Sequence, residues 1–190
     1  MDLTVLCFDR DLTVDVNFDV DRVQQIDGPA DARPVPLSWV KHYAHAVDGV
    51  DVWATGNQRL RAEAAIPGLA DAAEVWRSLY DRDIETVYES YGFVEEYKPR
   101  RRDGLRLIRD IYTEHAGADD SLAFTVVDDV DLSDMAHEWG EHYYAWDFVE
   151  DDDWAVDDPA YSDTPVNSSA CSENVGPDHG GLDELRAAAE

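Results

Sequence analysis

Lysine is nearly absent. Lys41 and Lys98 stand alone, and with the arginines they bring the cationic side chains to 15 against 43 aspartates and glutamates in 190 residues. The formal charge of −28 argues against bulk nucleic acid or an anionic membrane as the main partner, because a surface this acidic repels polyanions. Self-repulsion on that scale weakens a compact chain in dilute buffer and salt relieves it. The composition therefore resembles that of proteins that work in molar salt. Cysteine is as scarce: Cys7 and Cys171 are too few for a disulfide framework. Cys7 falls in an apolar run and reads as an inert buried thiol, Cys171 in a polar tail. No apolar run is long enough to span a bilayer, and Met1-Asp2 leads directly into a strand, so the expectation is a cytoplasmic protein without a membrane partner. The oligomeric state stays open.

A hydrophobic content of 44% is that of a globular chain. The pattern predicts one α/β domain over 1–149, interrupted by a polar loop or flap at 15–36. An acidic, Ser/Pro-rich extension follows over 150–190 and ends in a short helix at 181–190. Helices are expected over 39–47 with Ser38 as N-cap, over 58–65 and 70–80, and on the stripe Leu105, Leu107, Ile108, Ile111 and Tyr112. Residues 84–94 alternate like a short strand pair. Apolar strands near 4–8, 50–55, 122–127 and 143–149 interleave with these helices, which predicts a three-layer α/β fold. Its sheet is mostly parallel, with the functional residues at the strands' carboxyl ends.

Chemistry-bearing residues collect at those ends. The first strand runs into Phe8-Asp9-Arg10-Asp11-Leu12-Thr13, and two carboxylates so close are costly unless a cation, ordinarily a hard divalent one, lies between them. The second strand ends in Thr55-Gly56-Asn57, where a hydroxyl and a glycine-opened backbone can meet an anion. Lys98-Pro99-Arg100-Arg101-Arg102 is the one concentrated positive stretch, and anion binding is the plain reason for it in so acidic a chain. The strand over 121–127 ends in Asp128-Asp129, with Asp134 further on.

In this order the four stretches resemble the motifs of the haloacid-dehalogenase-like (HAD) hydrolases, Rossmann-like proteins most of which are Mg-dependent phosphatases. The resemblance implies a phosphomonoester hydrolase. Asp9 would be the nucleophile that becomes an aspartyl-phosphate, and also a metal ligand. Asp11 would exchange acid and base roles and offer its backbone carbonyl to the metal. Thr55, Gly56, Asn57 and Arg102 would bind the phosphate, and Lys98 would be the catalytic cation, with Arg100, Arg101 and Arg102 as open alternatives. Asp128 and Asp129 would complete the Mg²⁺ site, with Asp134 as a distal candidate. The stretch 58–94, which would hold a cap module in larger relatives, has no room for one, so the resemblance implies a minimally capped, open site for a phosphorylated small molecule or macromolecule. Two alternatives stay open: a non-catalytic interaction module on the same scaffold, and a receiver-like domain that stores an aspartyl-phosphate. Asp11 separates the latter, since a storage site does not want a second carboxyl placed to hydrolyse it. His137 and His142 lack the four-residue spacing of a helical zinc motif, and His42 and His45 read as helix-surface residues. Trp154 and Tyr161 are candidates either to anchor the extension or to meet a partner.

Overall fold

The computed structural model describes residues 2–81, 83–94, 98–114, 116 and 121–166. Strand β1 (Asp2–Phe8) runs through the middle of a four-stranded sheet of order β2-β1-β5-β6, with β2 at Val50–Ala54, β5 at Ser121–Val127 and β6 at Glu141–Tyr143. Every pairing in it is parallel. Alternate residues of a strand serve opposite faces. In β1 Val5 and Cys7 enter one core, whereas Leu6 and Phe8 enter the other. A strand apolar on both faces must lie between two layers. On one side pack α4 (Leu69–Tyr80) and α6 (Arg101–Thr113), contributing Trp76, Leu105, Ile108, Ile111 and Tyr112. On the other pack α2 (Leu37–Ala46), α3 (Arg59–Ala64) and α7 (Ala145–Phe148), contributing Val40, Tyr43, Leu60 and Phe148. The result is the three-layer, Rossmann-like α/β arrangement expected from the pattern.

Three local expectations are corrected. Residues 143–149 do not form a strand: β6 stops at Tyr143, and Ala145 and Phe148, three apart, bury one side of the short α7. A short apolar run satisfies either period, and the packing of Phe148 against Phe8 and Tyr43 selects the helix. Residues 84–94 are mostly helix, α5 (Ile84–Ser90), because the Asp83 side chain accepts from Glu85 N and caps it. Only β3 (Phe93–Val94) is extended, paired antiparallel with β4 (Lys98–Pro99). Helix α2 is entered from Pro36 rather than from Ser38, whose N–H donates to Asp163 Oδ1 at 2.9 Å.

The segment 15–36 lies between β1 and α2. It contains a 3-10 turn (Asp15–Asn17) and the short α1 (Val20–Gln25), and Val23 and Ala32 pack with Leu12 under Phe18 and Trp146. Its ends are tied where Val35 N donates to Thr13 O at 2.9 Å. Beyond α7 the chain returns over α2. Tyr43 Oη donates to Trp154 O, Lys41 Nζ to Ser162 O at 3.2 Å, and Tyr161 Oη to His45 O at 3.5 Å, so Trp154 and Tyr161 do anchor this stretch. The helix expected over 181–190, and Cys171, lie outside the described residues. Among those described, no helix is long and apolar enough to cross a membrane.

Candidate active site

The chain leaves β1 toward β2 on one side and later crosses to β5 on the other. Parallel sheets bind ligands in the crevice such a reversal opens beyond the strands' carboxyl ends. The ladder continues one rung past those ends. Asp9 N donates to Val127 O at 2.9 Å, Thr55 N to Phe8 O at 3.0 Å and Asp128 N to Tyr143 O at 3.1 Å. Register alone therefore sets Thr55, Asp9 and Asp128 side by side at one level.

Asp9, 2% exposed, is held at both oxygens. Oδ1 accepts from Arg10 N at 2.6 Å and Asn57 N at 3.1 Å, and Oδ2 accepts from Arg101 Nη2 at 2.9 Å. Gly56 makes this approach possible, since a Cβ there would stand 1.6 Å from Asp9 Oδ1. Arg101, the first residue of α6, also donates through Nη1 to Asp128 Oδ1 at 2.6 Å. Its guanidinium thus bridges the ends of β1 and β5. Asp129 Oδ1 lies 4.0 Å from the same Nη1.

Asp9, Asp128 and Asp129 bring ligand oxygens within 4.8 Å of one another, the one such cluster of metal-ligating side chains among the described residues. Burial and the neighbouring Asp9 push the Asp128 carboxyl up to about 8 in spite of Arg101, and the same two causes raise Asp129. One guanidinium therefore does not neutralise three carboxylates. Asp128 Oδ2 is buried without a hydrogen-bond partner, an arrangement that costs stability unless something positive meets it. The donor set is all oxygen and hard, so Mg²⁺ or a similar divalent cation fits it.

Asp11 stands apart from this trio. Its carboxylate accepts from Asn57 Nδ2 at 3.2 and 3.3 Å, from Asn17 Nδ2, and from Arg10 Nη1 at 3.3 Å. Partial burial raises its pKa, but the amide bonds from Asn17 and Asn57 and the Arg10 charge outweigh that and leave it below the ordinary value. Arg10 is itself fixed by Glu63 at 2.7 and 2.8 Å. The turn after Asp11 puts Leu12 at φ 58°, a left-handed conformation that costs about 1–2 kcal/mol for a non-glycine residue. Leu12 N donating to Asn17 O and Val14 N donating to Arg10 O, both at 3.1 Å, hold it.

A cavity of about 830 Å³ opens over these groups, lined by Asp9, Asp11, Thr55 to Arg59, Lys98 to Arg101, Asp129 and Val130. Thr55 Oγ1 is buried without a partner there. The structure thus gathers Asp9, Asp11, Thr55, Gly56, Asn57, Lys98 and Asp129 at one opening, with Asp128 beneath. Arg102 is absent from that lining: its Nη1 pairs with both oxygens of Asp134 at 2.8 Å beside an adjoining groove, and Asp134 is not in the aspartate trio. Arg10 and Glu63 are missing from the residues expected at the site because their pairing spans 53 residues and no local pattern announces it, and Asn17 is missing although it reaches back only six residues to Asp11. Arg59 is missing too, and its place two residues beyond Thr55-Gly56-Asn57 is the signal that could have found it.

No family model, curated protein or solved structure matches the chain. The protein is a parallel α/β molecule with an aspartate cluster at its sheet edge able to hold a divalent cation, an arrangement consistent with a Rossmann-like hydrolase.

Proposed function

We propose that the protein is a Mg-dependent phosphomonoester hydrolase of the HAD type that works through an aspartyl-phosphate on Asp9. The observation that carries this reading is the Arg101 bridge between Asp9 and Asp128 on neighbouring strand ends, beside the partnerless Thr55 hydroxyl. A nucleophilic carboxylate, a cation opposite it and a spare donor are the parts that phosphoryl transfer needs, since that chemistry depends chiefly on positioning and charge.

An Asp9 oxygen attacks phosphorus and the bond to the leaving oxygen breaks, that oxygen taking a proton from Asp11. Asp11 then accepts a proton from water, which attacks phosphorus as the Asp9–phosphorus bond breaks. Asp11 begins as a carboxylate; a phosphate dianion brought beside it raises its proton affinity by like-charge repulsion, and it takes from solvent the proton that it passes to the leaving oxygen. Thr55 Oγ and Arg101 donate to the equatorial oxygens, and Lys98 adds charge from the rim. Asp9, Asp128 and Asp129 would hold the Mg²⁺, which when bound supplies charge neutralisation at the phosphoryl oxygens.

The test is cleavage of 4-nitrophenyl phosphate in molar KCl, with Mg²⁺ and with EDTA. Turnover should require Mg²⁺, and Asp9→Asn should lower it by at least ~10³-fold with an unchanged far-UV spectrum. Wild-type rates in Asp9→Asn would remove Asp9 as the nucleophile. A folded protein with no turnover on any phosphomonoester would leave the interaction-module reading.

A further inference from the structure

The cavity is lined by an uneven set of groups. Apart from Pro99 and Val130 it offers no apolar side chain of any size, so an aryl, acyl or lipid body would bury little against it. Its volume of about 830 Å³ is at the upper end of small-ligand sites and well beyond what one phosphate fills.

Besides Asp9, Thr55 and Arg101 the wall carries further cations: Arg59 at the start of α3, Lys98 in β4 and Arg100 just before α6. Arg59 and Arg100 differ from the arginines about them. Arg10, Arg61, Arg101, Arg102 and Arg106 each hold a carboxylate at 2.9 Å or less, as expected where acids outnumber bases 43 to 15. Arg59 and Arg100 hold none among the described residues. Two exposed guanidiniums lining one cavity, left out of the ion pairing that occupies their neighbours, are available to a ligand. In molar salt the Debye length is about 3 Å, so they act by contact rather than by steering, and contact with a planar or tetrahedral anion is what a guanidinium fork suits.

Building on the hydrolase reading, we infer that the substrate is a small, polar phosphomonoester bearing a second anionic group, a carboxylate or another phosphate, held by Arg59 and Arg100. The scissile phosphate lies against Asp9, and the second anion satisfies the rim arginines. This selects against neutral sugar phosphates and against phospholipids.

The experiment measures binding directly, by calorimetry at fixed molar KCl and Mg²⁺ on the Asp9→Asn protein, so that it does not depend on turnover. The probes form two matched pairs: glycerol 3-phosphate against 3-phosphoglycerate, and fructose 6-phosphate against fructose 1,6-bisphosphate. At least one two-anion probe should bind at least ~10-fold tighter than its partner. The first pair reports a carboxylate and the second a phosphate as the second group. In an Arg59→Gln/Arg100→Gln background, both changes being at exposed positions, that advantage should shrink to less than ~3-fold. Equal affinities within both pairs, no binding by any probe, or an advantage that survives the double substitution would each overturn the inference. Turnover of 4-nitrophenyl phosphate by the wild-type protein reports separately on the hydrolase reading, so the two can fail independently.

Discussion

Arg101 holds two buried carboxylates at once, Asp9 Oδ2 at 2.9 Å and Asp128 Oδ1 at 2.6 Å. Removing one partner of a buried pair strands the other charge, at a cost of roughly 3–5 kcal/mol. Arg101→Ala should therefore lower the melting temperature in EDTA, and Mg²⁺ should restore much of it, since a divalent cation held by the cluster would meet the same two carboxylates. In the hydrolase reading kcat and kcat/KM should fall together in this variant, whereas Lys98→Ala should chiefly raise KM. Collapse of kcat in Lys98→Ala with Arg101→Ala near wild type would return the catalytic role to Lys98. Composition singles out Lys98, since lysine is so rare here. Which of four neighbouring cations reaches Asp9 depends on where α6 begins and how it is turned, and neither can be read from the stretch itself.

Strand β6 is only three residues long and lies at the sheet's edge, yet it matters to the site because Tyr143 O accepts the Asp128 N–H. Gly140 sets how closely β6 approaches β5: a Cβ at this position would stand 2.1 Å from Phe124 O, a backbone atom that no rotamer change can move. Gly140→Ala is expected to cost about 1–3 kcal/mol as overpacking, seen as a fall in the denaturation midpoint at constant slope. A midpoint within error of wild type would mean that β6 is not held against β5 as described. The same element shows the limit of pattern reading. The run Tyr143 to Val149 fits a strand as well as a helical turn, and the choice is made by Phe148 stacking on Trp154 and meeting Phe8 edge-on.

With a formal charge of −28, the whole molecule should depend on salt. At about 0.1 M KCl the screening length is roughly 10 Å, and at about 3 M it is below the spacing of neighbouring surface carboxylates. The melting midpoint is expected to rise by roughly 5 °C or more between the two. Equal midpoints would show that local pairs such as Arg106 with Glu138 and Arg61 with Asp71 already neutralise the acid.

A second whole-molecule test uses alkali. Burial pushes Tyr43 up to about 12, burial and Glu114 do the same to Tyr80, and burial with Asp51 raises Tyr112 well above its ordinary value. Folded pKa values raised in this way mean stability fully present below about pH 10, where unfolded tyrosine titrates, and lost as pH climbs through about 12. Phenolate absorbance for these three should appear together with loss of the near-UV circular dichroism. Their ionisation near pH 10 in a still native protein would contradict their packing.

The apolar runs and acid-rich strand ends were enough to read the three-layer parallel sheet and the gathering of Asp9, Thr55 and Asp128, because strand order and period act locally and β1 is apolar on both faces. Two things were settled across distance instead. Asp11 is held by Asn57 of the loop after β2, 46 residues later, and Asp128 is paired by Arg101, 27 residues earlier. Contacts of that kind join segments whose spacing along the chain carries no period. They exist only once the sheet has set both ends at one level, which is also why the unpaired oxygen of Asp128 could not be foreseen.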